Sequence, residues 1–416
     1  MIGQKLKVGS LAPFRVFSAI FLLVGGLSIS HSADSALGSA GVMTFGPGNT
    51  LFVGDNKRGL VHAFELPETA FNDQSGYTLG RAESFEGRTL VENLGKHLGD
   101  LMGTNPESIT VNDVVVHRAS KQIFLSVHRG HGPDAVPAIF RVSEGELELV
   151  NLDTAKHTSV QLSVPIDERL EFGQPLNTLA ITDIDYFDGE IFVAGLSNET
   201  FSSTLRRISY PFTGAVQTSS IEIWHAVHAQ YETRAPIITQ DIRVIDGTPT
   251  LIAVYACTPL VRIPISELTD GAKVRGTMIG ELGFGNTPID IVSFTNPMDK
   301  QDYVLVTNTN RSAVQVSIDA IGTAEAMPSG EGVQPVFSTA GVPQFTMPLS
   351  GTLQMALIDP QWAVVLRHDP ENVGNIELHT LSVPFFFDRS DHIVEMNWED
   401  GPDPFGYKSL PPVDYN

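Results

Sequence analysis

The stretch ITDIDYFDGEIFVAGLSNE (Ile181 to Glu199) sets an acid before an aliphatic run, turns at FDGE, and returns through IFVAG. An Asp-Gly pair between β-branched and aromatic residues is a strong hairpin signal. The same plan recurs on both sides of it. It is read in TFGPGNTLFVGDNKRGLVHAFEL (Thr44 to Leu66), VNDVVVHRASKQIFLSVHRG (Val111 to Gly130) and TQDIRVIDGTPTLIAVYACTP (Thr239 to Pro259). It returns in PIDIVSFTNPMDKQDYVLVTNTNR (Pro288 to Arg311) and LQMALIDPQWAVVLRHD (Leu353 to Asp369). The middle four units share an acid before an aliphatic: Asp113, Asp183, Asp241 and Asp290. Their spacing of roughly 50 to 70 residues is that of a four-stranded sheet module.

Sheets repeated in this way must hide their edge strands, and radial closure does so. The expected fold is therefore all-β, a single β-propeller in which six blades are countable and the longer spacers leave room for a seventh. One helix interrupts the rhythm. ESFEGRTLVENLGKHLGDLMG (Glu83 to Gly103) carries Leu90, Val91, Leu94, Leu98 and Leu101 at helical spacing.

The 416 residues include 48 acids against 26 bases, a formal charge of −22. That balance opposes an electrostatic grip on nucleic acid or anionic lipid. The sole cysteine, Cys257, excludes an intrachain disulfide framework. The first 33 residues have the layout of a secretory signal peptide: basic Lys5, Lys7 and Arg15, an apolar run from Val16 to Ile29, then small Ser30, Ser32 and Ala33. The organisation expected is a leader over 1–33, a propeller over 34–385 with the helical insertion at about 83–103, and an extended acidic tail over 386–416. The mature protein is expected in the periplasm or medium, without a membrane span and as a monomer.

In a propeller the starts of first strands and the ends of second strands share one face. That face is expected to gather Asn112, Asp113, Asp183, Gln240, Asp241 and Asp290 with Asp55, Asn56, His128, His131, Asn198, Cys257, Asn308 and His368. Carboxylates, amides and imidazoles around a concave mouth suit a ligand or a cation, calcium above all. Each acid has a simpler reading as a cap on nearby backbone. His128 and His131, in HRGHGPD, are candidate catalytic bases or metal ligands, and Cys257 is a candidate soft ligand beside a histidine such as His128. His225 and His228 form an H-x-x-H pair without the glutamate of a zinc protease, and are placed on an outer strand or loop. No P-loop, dinucleotide fingerprint or nucleophile elbow is present.

In repeat style the chain resembles secreted propellers of the NHL and YVTN type over most of residues 41–385. VNDVVV (Val111 to Val116) is similar to the calcium-binding strand start of paraoxonase- and gluconolactonase-type six-bladed propellers, which nominates Asn112 as a calcium ligand. The family's first-blade glutamate has no counterpart, because Gly41, Val42 and Met43 occupy that stretch. Two functions follow as expectations. One is a propeller that binds a small molecule or an exported protein on its loop face. The other is a calcium-dependent hydrolase of lactones or esters.

Overall fold

The computed structural model describes residues 36–71, 87–143, 145–163, 176–283, 285–328, 338–349, 351–369 and 374–383. The expected leader and tail lie outside these residues. Along the chain, β1 (Met43–Phe45), β2 (Thr50–Asp55) and β3 (Leu60–Glu65) form the inner three strands of a first blade. The chain then lays β4 (Thr89–Val91) on a distant sheet, runs through α1 (Leu94–Met102), and builds a complete second blade. That blade comprises β5 (Ile109–His117), β6 (Gln122–Arg129), β7 (Val136–Ser143) and β8 (Glu146–Leu149). Only afterwards does β9 (Lys156–Gln161) return to complete the first blade against β3.

The third blade is β10 (Asp183–Phe187), β11 (Glu190–Leu196), β12 (Ser203–Ser209) and β13 (Gln217–His225), with β14 (Gln230–Glu232) folded back on β13. The fourth is β15 (Ile237–Ile245), β16 (Thr248–Tyr255), β17 (Pro259–Pro264) and β18 (Lys273–Glu281). A parallel pairing of β13 with β18 fuses the outer edges of these two blades. The fifth contains β19 (Pro288–Thr295), β20 (Asp302–Asn308), β21 (Val314–Ser317) and, after the short α2 (Ile318–Thr323), β23 (Gln344–Thr346). Between them β22 (Ala340–Gly341) pairs with β18. The sixth is β24 (Thr352–Asp359), β25 (Trp362–His368) and β26 (Ile376–Ser382), and its fourth strand is β4.

Six hydrophobic clusters fill the gaps between blades and fix their order around the ring. Phe192 with Ile263 joins the third and fourth blades, and Val254 with Val304 joins the fourth and fifth. Leu305 with Val365 joins the fifth and sixth, and Leu125 with Val364 joins the sixth and second. Phe124 with Leu51 joins the second and first, and Val61 with Val193 joins the first and third. The second blade in sequence therefore sits on the far side of the first, between it and the sixth. Each blade is packed on both faces, so the second strand reads as a continuous apolar run: all six residues of TLFVGD in β2 are buried.

The Asp-Gly turns behave as read. Asp188 and Gly189, and likewise Asp246 and Gly247, take positive φ in two-residue hairpins. The helical segment is shorter than its spacing suggests, because α1 covers only Leu94–Met102 while Leu90 and Val91 belong to β4. Burying them against the sixth blade adds a strand to a sheet, and tertiary pairing outweighs the local helical period. Gly87 makes this docking possible, since a Cβ there would lie 1.5 Å from the Thr380 carbonyl oxygen.

Asn56 ties the first and third blades together, its Nδ2 donating to the Ile181 carbonyl at 3.0 Å while its Oδ1 accepts from the Ile181 N–H at 2.8 Å. Asn56→Ala is expected to cost about 2 kcal/mol, one for each net hydrogen bond. Urea unfolding at unchanged slope measures it, and a loss below about 0.5 kcal/mol would show that water replaces the amide.

Candidate functional site

The first strands of the six blades stand around a central channel of about 750 Å³. Asp113, Asp183, Asp185, Gln240, Asp241 and Asp290 line it, with His117 and Arg243 further along the same strands and Arg118 in the turn after β5. Asp113, Asp183, Asp241 and Asp290 do occupy corresponding places, on β5, β10, β15 and β19, each followed by an aliphatic residue. In Asp113, Asp183 and Asp290, one carboxylate oxygen accepts from the next residue's backbone N–H at 2.7–2.8 Å.

Their second oxygens do something the spacing did not announce. Oδ2 of Asp113 accepts from the Met43 N–H at 2.6 Å, across to the first blade. Oδ2 of Asp183 accepts from the Gln240 N–H at 2.7 Å and the Thr239 hydroxyl at 2.9 Å. Oδ2 of Asp290 accepts from the Met355 N–H at 2.7 Å. Each acid thus clamps its own blade to the next one round the ring. Asp241 and Asp185 differ: each keeps a buried Oδ2 with no hydrogen-bond partner.

Electrostatically the cluster is strained. Burial pushes the Asp113 carboxyl up to about 7 and that of Asp183 to about 6. Burial also raises Asp241, and lifts Asp185 and Asp290 well above the carboxylate range. For Asp185 the charges of Asp183, Asp241 and Asp290 add to the effect. Such groups must hold protons or be met by a cation. Asp185 was not singled out in the sequence. Its signal was there, since the period of two in Asp183-Ile184-Asp185 puts both acids on the same face of the strand.

Other residues expected on this face are spent on structure. Asp55 is fully buried and accepts from the Gly38 N–H, the Ser39 hydroxyl, the Arg58 N–H and His62. These bonds lower its pKa although burial works against them. Nε2 of His128 accepts from the Ala40 N–H at 2.9 Å, and Asn112 donates to the Ala40 carbonyl at 2.8 Å. Burial lowers the His128 pKa, and its Nε2 is already occupied, so it is no free base in this arrangement. Asn308 is buried and donates to the Val306 and Ser312 carbonyls. His131 is exposed with a ring nitrogen 3.1 Å from the Glu107 carbonyl oxygen, Asn198 is exposed and accepts from the Ser163 hydroxyl, and His368 is exposed at the end of β25. Cys257 does not meet His128. It lies beside His225 and His228, where the third and fourth blades join.

The fold defines the chain as an all-β propeller. No family model and no curated protein sequence matches it. Among solved structures it is similar to a protein of unknown function from Dyadobacter fermentans, at 11% identity over 83% of this chain and 94% of that one, with a TM-score of 0.35. It is also similar to the Bacillus subtilis arabinanase Arb43A, at 12% identity over 70% of this chain and 95% of that one, with a TM-score of 0.32. A candidate 6-phosphogluconolactonase of Bacteroides fragilis matches at 11% identity over 80% of this chain and 74% of that one, with a TM-score of 0.27. Likenesses this distant say nothing about activity.

Proposed function

We propose that this protein is an exported binding propeller whose channel mouth takes a small cationic ligand, with calcium as its simplest occupant. One observation carries the reading: carboxylates from four blades share one cavity, and Asp185 and Asp241 each keep a buried oxygen without a partner. Oxygen donors of this kind suit a hard cation. The cavity is of the size that holds small ligands. The leader-like N-terminus supports export to the periplasm or medium. The lactone or ester hydrolase reading needs a free base beside Asn112, and His128 is engaged with Ala40.

Calcium titration of chelator-stripped protein, followed by thermal unfolding, tests the binding. A ligand specific to the native state stabilises it by about 2.7 kcal/mol at a hundredfold excess over Kd. The midpoint should climb with calcium in the wild type and stay flat in Asp185→Asn and Asp241→Asn. A wild-type midpoint that ignores both calcium and a small diamine would defeat the cation reading. Recovery of the protein from the cytoplasm with Met1 intact would defeat export.

A further inference from the structure

At the seam between the third and fourth blades, His225, His228 and Cys257 bring one ring nitrogen each and the thiol sulfur within 4.8 Å of one another. Two separate stretches of chain meet there. His225 ends β13, His228 lies in the turn before β14, and Cys257 follows β16 with φ of +68°. Glu232 on β14 then does something specific. Its Oε2 lies 2.9 Å from Nδ1 of His225, and its Oε1 lies 2.6 Å from Nδ1 of His228. One carboxylate thereby orients both imidazoles and leaves Nε2 as the atom each has for a ligand. Metal-bound histidines are characteristically held by a carboxylate in this way.

A second observation points into the same space. Nε2 of His225 is buried with no hydrogen-bond partner, and so is Oε2 of Glu281, at the end of β18. These two atoms lie 4.0 Å apart, too far to bond one another. Burying two unpaired polar atoms face to face is costly unless something sits between them. Zinc bonds of about 2.0–2.3 Å to nitrogen, oxygen and sulfur would set neighbouring donors roughly 3.3–3.6 Å apart. Closing from 4.8 Å asks a movement of up to about 1.5 Å, shared between the exposed His228 and the half-buried Cys257.

We infer that His225, His228 and Cys257 form a binding site for one divalent transition-metal ion of zinc type, separate from the channel, with Glu281 facing His225 as a further carboxylate donor. A thiolate and two imidazoles select a softer ion than the channel's carboxylates do.

Cobalt(II) titration of the chelator-stripped, reduced protein provides the test. One equivalent should bring intense visible bands of four-coordinate cobalt together with a thiolate-to-metal charge-transfer band, and zinc should bleach both. Cys257 is the sole cysteine, so that band in the wild type assigns the sulfur without any variant. Cys257→Ser should abolish the charge-transfer band. Glu232→Gln should keep it while weakening affinity about 10- to 100-fold. Asp241→Asn should leave it untouched. The inference fails if stoichiometric cobalt gives no thiolate band, or if the band and affinity survive His228→Ala unchanged.

Discussion

Between about pH 5 and about pH 8 the metal-free protein should lose several kcal/mol of stability, and saturating calcium should restore most of it at the alkaline end. Burial raises the Asp113 carboxyl to about 7 and Asp183 to about 6, and raises Asp185, Asp241 and Asp290 as well. From the ordinary value near 3.8 up to those raised values, the folded chain binds more protons than the unfolded one. Stability therefore falls as pH rises through that window. The penalty is absent below the unfolded pKa and complete once the folded groups have ionised. Each unit of displacement is worth about 1.4 kcal/mol, so Asp113 alone accounts for a few kcal/mol. Two groups work the other way. Asp55 is held low by its hydrogen bonds despite burial, and Glu232 is brought to about 2 by His225 and His228 against the same opposition. Their stabilisation disappears as pH falls toward those values, so the optimum lies in mildly acid solution. Thermal midpoints across this range, with chelator and with calcium, read the effect. A midpoint that rises steadily toward pH 8 without metal would contradict it.

Replacing Arg206 by methionine should cost about 3–5 kcal/mol, among the largest losses for a single side chain here. Arg206 is fully buried in the third blade. Its Nη1 donates to the Ala180 carbonyl at 3.1 Å, and Nη2 donates to the Ser163 and Leu196 carbonyls, each at 2.7 Å. The planar fork gathers three carbonyls from a loop and a strand end, and burial brings its pKa down to about 10. Methionine fills the volume but satisfies none of those oxygens. Arg206→Lys keeps a charge but cannot span three acceptors in one plane, so an intermediate loss is expected. Urea midpoints at constant slope measure both. A methionine variant within about 1 kcal/mol of wild type would mean that water reaches these carbonyls.

The strand pairs were readable because their turns and periodicity are local. FDGE and IDGTP specify hairpins by themselves, and runs such as IFVAG and LIAVY announce strands packed on both faces. The order of blades was not readable. Four of the blades start alike, with an acid ahead of an aliphatic, so nothing in β5 tells it which neighbour to join. The strands that settle the order are weak signals: β4 is three residues long, and β9, KHTSVQ, buries only Val160. At the site, the four acids were legible as a set. Their use as clamps was not, because the Met43, Gln240 and Met355 donors are backbone groups of another blade. Cys257 and His225 were each visible, but their meeting depends on the third and fourth blades being neighbours with β13 paired to β18, a long-range arrangement no local pattern announces.

The placement of β4 has a consequence for how the chain is made. Arg88 and Thr380, which exchange hydrogen bonds where β4 meets β26, are 292 residues apart. Synthesis delivers β4 long before its partner β26, so the ring stays open until the sixth blade has been made. The entropy of closing so long a loop grows only as the logarithm of its length, so the finished ring is not much penalised. The burden falls on the rate, because pairings this distant are slow to find. Until then β4 stands unpaired, an exposed strand that must wait for its partner while the second to fifth blades are laid down.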